Sequence, residues 1–411
     1  MSAARRTVLK ALAAAPALSA VGLPAAAATT TATATTTATP TPTPASDPLP
    51  DPAPGIVKPV PPEWFVVRGT NAEARFETFR DTGARTPNAR FFVRNHTVTP
   101  VLDATHWRLT VHGDGLHGRR PVRFTLGQLR DLPSVTRTAL IECAGNGRTL
   151  YTTQQGEPVS GTAWTLGAVG AARWRGARLS DVLRRAGISS DAVDVQPRGL
   201  DDEYVTGGVN LGRVRRPLPV AKAMDDVIVA YEMNGEPLPY DHGHPVRLVV
   251  PSWVGIASTK WLGDIEVSRS PLASPWSTDY YRLFGAAHPP GGSAPITTQT
   301  PKSAFELPFG ATLEAGLRHR LDGRAWSALA PVRTVEVSAD GARWWPARIL
   351  DRPARGGWVR WTTTWRPRAA GPATLLSRVT DAAGNTQPER AVHNTQGYLF
   401  NAVVRHPVTV V

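Results

Sequence analysis

Three short stretches of the sequence combine an apolar strand with a turn rich in groups that bind anions or soft metals. The first is Phe91-Phe-Val-Arg-Asn-His96, the second is Glu142-Cys-Ala-Gly-Asn-Gly-Arg148, and the third runs from Ala230 to Arg247. Cys143 follows the apolar run Ala139-Leu-Ile141 and precedes small residues and an arginine. Backbone N–H groups and Arg148 at such a turn favour a thiolate, and a thiolate suits a soft, high-valent metal that is also held by sulfur.

Cys143 is the only cysteine among the 411 residues. A single cysteine excludes an intrachain disulfide and a zinc site built on several cysteines.

Two other patterns are weaker indicators of a functional site. Gly113-Asp-Gly-Leu-His-Gly118 has the spacing of a dinucleotide-binding loop, but the residues after it do not begin a helix, so we predict a hairpin turn. Asp241-His-Gly-His244 resembles a short metal-binding box that lacks partner ligands at the required spacing.

The elements that position these stretches mix strands and short helices. Apolar runs predict strands at 107–111, 121–125, 139–141, 227–231 and 246–250, and short helices at 126–132, 179–186 and 220–224. This mixture is typical of an α+β domain. After a loop rich in Pro, Gly and Ser, the pattern predicts strands alone, at 333–338, 345–350, 358–365, 373–380 and 397–411. The spacing of these strands predicts an immunoglobulin-like β-sandwich.

These motifs resemble the molybdenum-cofactor domain of the sulfite oxidase family. The family's patterns F-[VT]-R-N-H, C-A-G-N-x-R and Y-x-M-N-G-x-x-L-P-x-D-H-G-x-P-V-R match at 92–96, 143–148 and 231–247, and related elements continue in order to Tyr280. The later strands resemble the family's dimerisation domain. The resemblance implies a molybdopterin-binding catalytic domain over 55–272, a linker loop over 273–303 and an immunoglobulin-like dimerisation domain over 304–411.

The resemblance also implies a cofactor, molybdenum held by a pyranopterin dithiolene, with Cys143 as the protein's metal ligand. The implied cofactor-binding residues are Phe92, Val93, Arg94, Asn95, His96, Cys143, Asp201, His242, Arg247, Ser258, Thr259 and Lys260. Arg and Lys form charge-assisted hydrogen bonds to phosphate, which suits the phosphate of such a cofactor. The sequence contains no C-x-x-C-H haem-attachment pattern, so we expect no haem in this chain.

The implied reaction is the oxidation of sulfite to sulfate by oxygen-atom transfer at molybdenum, with electrons passed to an external acceptor such as a cytochrome c. Fixed guanidinium groups favour both the entry of sulfite and the developing sulfate. The implied catalytic residues are Arg94, Cys143, Arg148 and Tyr280, and the implied substrate-binding residues are Arg94, Arg148, Trp164, Tyr280 and Arg405.

The sequence departs from the animal enzymes of the family near the implied substrate pocket. Gly147 stands where those enzymes have a second arginine, His244 replaces an aromatic residue, and no lysine precedes Trp164. Together these departures remove positive charge near the implied pocket, so the identity of the substrate stays open.

The first 54 residues predict export rather than fold. Arg5 and Arg6 precede an apolar stretch that runs to about Leu23 and is followed by small residues, which is typical of a twin-arginine signal peptide over residues 1–28. Residues 29–54 are rich in Thr, Ala and Pro and predict an extended linker. We therefore expect a periplasmic or extracellular protein exported by the twin-arginine route.

The net charge of +13 comes from scattered arginines and not from one basic block, so it predicts a basic surface and no nucleic-acid partner. The resemblance implies a homodimer.

Two alternative functions stay open at this point. One is a related molybdoenzyme that reduces S- or N-oxides, and the other is a cofactor-free secreted binding module that uses the sandwich and the positive surface.

Overall fold

The computed structural model describes residues 53–354 and 356–411, so the predicted signal peptide and nearly all of the predicted linker lie outside the described residues. The described chain is mostly β-structure with few helices. Among these residues, none of the helices has the length and apolar character that a membrane crossing requires.

The N-terminal region, residues 53–301, contains two larger sheets and two hairpins. Its strands are β1 (Phe65–Arg68), β2 (Asn71–Ala74), β3 (Arg108–His112), β4 (Val122–Thr125), β5 (Ser134–Glu142), β6 (Val169–Arg178), β7 (Asp194–Gly199), β8 (Val205–Thr206), β9 (Val209–Asn210), β10 (Leu218–Pro219), β11 (Ile228–Met233), β12 (Glu236–Pro237), β13 (Arg247–Val249) and β14 (Leu262–Ser268). Its α-helices are α1 (Leu126–Arg130), α2 (Arg148–Gln155), α3 (Leu179–Ala186), α4 (Val220–Asp225) and α5 (Pro275–Thr278).

One sheet of the N-terminal region has the strand order β12-β11-β6-β5, with β13 also paired to β11, and the other has the order β10-β7-β14-β3-β4. Strand β5 pairs antiparallel with β6 along its whole length, which fixes the direction in which the chain leaves β5 at Glu142. The two sheets share an apolar core with α3, which buries Leu179, Val182 and Leu183 on one face. This spacing of three and four residues is the amphipathic pattern from which the helix was predicted.

The C-terminal region, residues 302–411, consists of two sheets. Its strands are β15 (Lys302–Phe305), β16 (Ala311–Leu313), β17 (His319–Trp326), β18 (Val332–Ser338), β19 (Trp345–Pro346), β20 (Arg348–Ile349), β21 (Trp358–Trp365), β22 (Gly371–Asp381) and β23 (Arg405–Val410). The strand orders are β15-β17-β21-β20 and β16-β23-β22-β18-β19. One apolar cluster takes side chains from both sheets, including Leu321, Val335, Trp361 and Leu375, so the sheets pack face to face.

The two regions also share a core. Trp326, Trp358 and Phe400 of the C-terminal region pack in one cluster with Phe79 and Tyr151 of the N-terminal region. Because apolar burial is the main source of stability, this shared cluster ties the two regions together.

Most predicted elements are confirmed, with some differences. The predicted strand over 345–350 is divided between β19 and β20, which belong to different sheets. The predicted helices correspond to α1, α3 and α4, and Gly113–Gly118 lies in the turn of the β3–β4 hairpin as predicted. Helices α2 and α5 were not predicted, nor were several strands, among them β6, β7, β14 and β17. The predicted strand over 397–411 is wrong for residues 397–404, because this segment packs against the N-terminal region and only β23 enters a sheet.

Candidate active site

The turn between β5 and α2 presents Cys143. The cysteine is 7% exposed, its amide N–H donates to the carbonyl of Ala168 at 2.9 Å, and its carbonyl accepts from the amide of Asn146 at 2.9 Å. Gly147 takes a positive φ of 89°, and a Cβ at this position would lie 3.1 Å from Phe400 Cβ. A larger residue at Gly147 would therefore strain the backbone and press on its neighbour. The backbone of the turn is hydrogen-bonded on both sides of the cysteine, and the thiol is buried.

A cavity on one side of Cys143, which we call the histidine cavity, is built from the ends of many elements. Arg94 and His96 follow an isolated bridge between Ala72 and Val93, Asp201 follows β7, and His242 ends a 3₁₀ helix over Tyr240–His242. Its lining comprises Phe91, Phe92, Arg94, Asn95, His96, Ile141, Cys143, Ala144, Asp201, Val214, Asp241, His242, Arg247, Gly255, Ile256, Ser258, Thr259, Lys260, Trp261 and Tyr281.

Within the part of the chain that the structure describes, three buried polar atoms at the histidine cavity have no hydrogen-bond partner: Asp201 Oδ1, His242 Nε2 and Thr259 Oγ1. All three residues are about 2% exposed. A buried polar group without a partner costs about 1–3 kcal/mol, so native proteins seldom leave such groups in place without a reason. These atoms together form an arrangement that suits a polar ligand.

Cationic side chains crowd around the same cavity. Burial lowers the pKa of Lys58 to about 7 and the pKa of Arg247 to about 9. Burial, followed by the charge of Arg247, holds the pKa of Lys260 well below its ordinary value. Burial raises the pKa of Asp201 to about 6. An anion bound in this cavity would offset the penalties on Lys58, Arg247 and Lys260, because an opposite charge favours the protonated form of each cation.

A second cavity, which we call the tyrosine cavity, also reaches Cys143. Arg148 begins α2 and is fixed there, since its Nε donates to the carbonyl of Gln396 at 3.0 Å and its Nη1 to the carbonyl of Thr162 at 2.9 Å. Tyr281 stacks on Tyr398 with ring centroids 5.1 Å apart. The lining comprises Arg94, His96, Cys143, Arg148, Ser160, Gly161, Thr162, Trp164, Tyr204, Thr206, Trp276, Tyr280, Tyr281, Gln396 and Tyr398.

The two cavities meet at four residues that line both: Arg94, His96, Cys143 and Tyr281. Burial opposes the charge of Arg94, but its pKa lies above the ordinary value, so the guanidinium stays charged. Burial also raises the pKa of Tyr281, which keeps its hydroxyl protonated. The junction therefore combines a thiol, a fixed cation and a hydroxyl donor.

His96 holds the guanidinium of Arg94 in place. Its Nε2 lies 3.0 Å from Arg94 Nη2 and 3.0 Å from Trp276 Nε1. Both of these neighbours can only donate, so Nε2 accepts and the imidazole is neutral. Burial and the nearby charges of Arg94 and Lys260 hold the pKa of His96 well below its ordinary value, in agreement with this tautomer.

The structure brings nearly all of the predicted site residues to these two cavities. Every predicted cofactor-binding residue except Val93 lines the histidine cavity. Val93 is buried, and its backbone forms an isolated β-bridge with Ala72. Arg148, Trp164 and Tyr280 line the tyrosine cavity.

Arg405 requires a correction. It lies exposed at the start of β23, its amide donates to Gln154 Oε1 at 3.0 Å, and it lines neither cavity. The segment before it turns away from the site, because Phe400, Ala402 and Val404 are drawn into the shared core. From this part of the chain, Gln396 and Tyr398 reach the tyrosine cavity instead.

Several lining residues were not predicted from the sequence, among them Tyr281, which lines both cavities. Tyr280 and Tyr281 are adjacent, and the pattern did not distinguish them. Tyr281 has a positive φ of 56° and is 5% exposed, so the chain turns there and directs this residue inward. Tyr204 and Trp276 carried no recognised signal.

The residues present fit a molybdopterin cofactor. Within the described ranges, no group of three or more His, Cys, Asp or Glu side chains is arranged to hold a metal ion. A metal at Cys143 would take its further ligand atoms from groups other than such a side-chain cluster. The histidine cavity offers that group unpartnered polar atoms and several cations, and Cys143 offers a soft sulfur ligand.

Comparisons with known proteins agree with this fit. Residues 96–276 match the oxidoreductase molybdopterin binding domain. The chain is 38% identical to mitochondrial sulfite oxidase of Homo sapiens over 341 residues, which cover 77% of this chain and 60% of that protein. It is 35% identical to sulfite oxidase of Gallus gallus over 338 residues, which cover 77% of this chain and 71% of that protein.

More distant relatives have other activities. The chain is 32% identical to the NAD(P)H nitrate reductase of Hordeum vulgare over 371 residues, which cover 83% of this chain and 41% of that protein. The crystal structure of the sulfane dehydrogenase SoxCD from Paracoccus pantotrophus superposes with a TM-score of 0.71 at 27% identity, covering 84% of this chain and 86% of that chain.

Proposed function

Because the chain belongs to the sulfite oxidase family of molybdopterin-binding oxidoreductases, we propose that it oxidises sulfite to sulfate with a molybdenum cofactor bound in the histidine cavity. The observation that carries this proposal is the junction of the two cavities at Cys143, Arg94 and Tyr281. One cavity suits a polar, anionic group of fixed position, and the other suits a small anion that enters and leaves.

The chain's own residues hold the cofactor in this proposal. Cys143 provides a thiolate ligand to the metal. The unpartnered atoms of Asp201, His242 and Thr259 bind polar edges of the pterin, and Arg247 and Lys260 face its phosphate. When bound, the cofactor supplies oxygen-atom transfer and takes up two electrons.

The tyrosine cavity binds and orients sulfite. Arg94 offers a charged guanidinium beside Cys143, and Arg148 offers a second one that two carbonyls hold in place. The Tyr281 hydroxyl, kept protonated by burial, donates a hydrogen bond to the oxyanion. Aromatic side chains, among them Trp164 and Trp276, wall the cavity and limit the access of water. Fixed donors of this kind stabilise charge without reorganising during the reaction.

A steady-state assay tests this proposal. Protein with an equimolar content of molybdenum is mixed with sulfite and an artificial one-electron acceptor, and we expect turnover that saturates with sulfite. A Cys143→Ser variant serves as the control and should lack turnover. Nitrate with a reduced electron donor is assayed in parallel, since a nitrate reductase is among the relatives. Failure of the molybdenum-loaded protein to oxidise sulfite would contradict the proposal. If the protein reduced nitrate faster than it oxidised sulfite, nitrate would be assigned as the substrate instead.

Metal analysis separates the enzyme from a cofactor-free binding module. We expect molybdenum and pterin to copurify with the protein in equimolar amount and to be lost in Cys143→Ser. Purified protein that carries neither, even when cofactor synthesis is ample, would favour the binding module.

Three further features complete the proposal. The twin-arginine pattern at Arg5 and Arg6 supports export to the periplasm or the exterior. The two-sheet C-terminal region supports an immunoglobulin-like dimerisation domain, and a monomer in sedimentation at micromolar concentration would contradict a homodimer. The electrons pass to a separate acceptor such as a cytochrome c, and the haem content of the purified protein tests the expected absence of haem.

A further inference from the structure

The residue that precedes Cys143 is a buried carboxylate with a complete set of partners. Glu142 is 0% exposed, and its Oε1 accepts from Lys302 Nζ at 2.6 Å and from Asn146 Nδ2 at 3.0 Å. Its Oε2 accepts from Trp326 Nε1 at 3.0 Å. Lys302 belongs to β15 and Trp326 to β17, so the C-terminal region supplies two of the three donors.

Lys302 also contacts the other end of the cysteine turn. Its Nζ donates to the carbonyl of Asn146 at 3.1 Å, so this ammonium group bridges the residues on both sides of Cys143. The backbone carbonyl of Glu142 accepts from Gln299 Nε2 at 2.6 Å. The turn from residue 142 to residue 146 is thus held at its side chains as well as by its backbone.

We propose that Lys302 and Trp326 are positioning residues that act through Glu142 to fix the place of the Cys143 sulfur. The C-terminal region then completes the active site, in addition to any part that it plays in assembly. This inference rests on the proposed role of Cys143 as metal ligand. A buried ion pair keeps its geometry only while both partners are present, because the loss of one leaves an unpaired buried charge. Removal of Lys302 should therefore release the turn.

The chain contains a matched control for this ion pair. Arg324 of β17 pairs with Glu306, and both are almost fully buried. Arg324 also donates to the carbonyl of Phe79 at 2.8 Å and to Thr82 Oγ1 at 2.8 Å, so it too joins the two regions. Its hydrogen bonds go to residues far from the cysteine turn along the chain, whereas those of Lys302 go to the turn itself. Loss of either cation should destabilise the protein, but only loss of Lys302 should disturb Cys143.

The test compares Lys302→Met with Arg324→Met in the full chain. Because Cys143 is the only cysteine, the rate of alkylation by iodoacetamide in cofactor-free protein reports on this thiol alone. We expect Lys302→Met to change that rate by about threefold or more, while Arg324→Met lowers the melting temperature and leaves the rate within about twofold. In cofactor-loaded protein, the electron paramagnetic resonance g-values of the half-reduced metal should shift in Lys302→Met and stay unchanged in Arg324→Met.

Milder variants keep the test decisive if a methionine variant does not fold. Trp326→Phe removes one N–H donor and keeps an aromatic ring, and it should shift the alkylation rate in the same direction as Lys302→Met. Lys302→Arg, which retains a cation, should restore the rate in part. The inference is overturned if Trp326→Phe leaves the alkylation rate and the g-values unchanged, or if Arg324→Met shifts them equally. The alkylation rate is measured without turnover, so its outcome is independent of whether the chain oxidises sulfite.

Discussion

The histidine cavity and the tyrosine cavity share four lining residues but differ in how their polar groups are satisfied. In the described part of the chain, three buried side-chain atoms without a partner line the histidine cavity, whereas Gln396 Oε1 is the one such atom at the tyrosine cavity. Arg148 in the tyrosine cavity and Arg247 in the histidine cavity both donate to backbone carbonyls, but burial lowers the pKa of Arg247 and of Lys260 in the histidine cavity.

The two cavities therefore suit different ligands, a resident one in the histidine cavity and an exchanging one in the tyrosine cavity. Unpaired buried groups are costly, so a cavity that contains them gains most when it is permanently filled. A cavity whose groups are held by the protein keeps its shape while ligands come and go, which is the preorganisation that catalysis requires. Variants of the two cavities should therefore fail in different ways.

The largest effect is expected at the junction. Arg94→Gln removes a fixed cation beside Cys143 but no apolar packing, so we expect the KM for sulfite to rise by about a hundredfold while molybdenum content stays near that of the natural protein. Arg405→Gln is the control, because Arg405 is exposed and lines neither cavity. Steady-state kinetics measure both variants. An unchanged KM in Arg94→Gln would mean that this residue serves the cofactor alone.

An intermediate effect is expected from the two neighbouring tyrosines. Tyr281→Phe removes the hydroxyl of a residue that lines both cavities, so kcat/KM for sulfite should fall by about tenfold. Tyr280→Phe, which alters a residue of the tyrosine cavity only, should change kcat/KM by less than about twofold. A larger loss of kcat/KM in Tyr280→Phe than in Tyr281→Phe would instead assign the catalytic hydroxyl to Tyr280, as the sequence predicts.

The smallest effect is expected in the histidine cavity. Thr259→Val keeps the shape of the side chain and removes an Oγ1 that has no protein partner, so cofactor-free protein should melt at the same temperature or higher. The cofactor should dissociate about fivefold faster, because it loses a hydrogen bond. Ser258→Ala is the control, since Ser258 Oγ accepts from the amide of Val250 at 3.0 Å and its loss should lower the melting temperature. If both variants destabilised cofactor-free protein equally, Thr259 Oγ1 would not be the unpartnered group that the histidine cavity reserves for its ligand.

The sequence predicts the parts of the site that lie in continuous motifs. Cys143, Arg94 and Arg148 stand beside apolar strands, and a local pattern is enough to identify them. The helices α1, α3 and α4 are similarly local, since their periodicity and turn residues appear within a few positions.

The rest depends on contacts that a local pattern does not contain. Tyr281 is distinguished from Tyr280 by a positive φ, and Arg405 is directed away by the packing of Phe400 in a core made from both regions. The partners of Glu142 lie 160 and 184 residues further along the chain, at Lys302 and Trp326. Such pairings become visible only when the fold has brought the strands together.

The most direct test of the proposed site is to locate the metal. Crystals of the purified protein should show an anomalous scattering peak at the molybdenum absorption edge, within bonding distance of the Cys143 sulfur and between the two cavities. Additional density for the pterin should extend from that peak into the histidine cavity toward Arg247. A peak elsewhere in the chain, or fully loaded protein in which the metal does not contact Cys143, would contradict it.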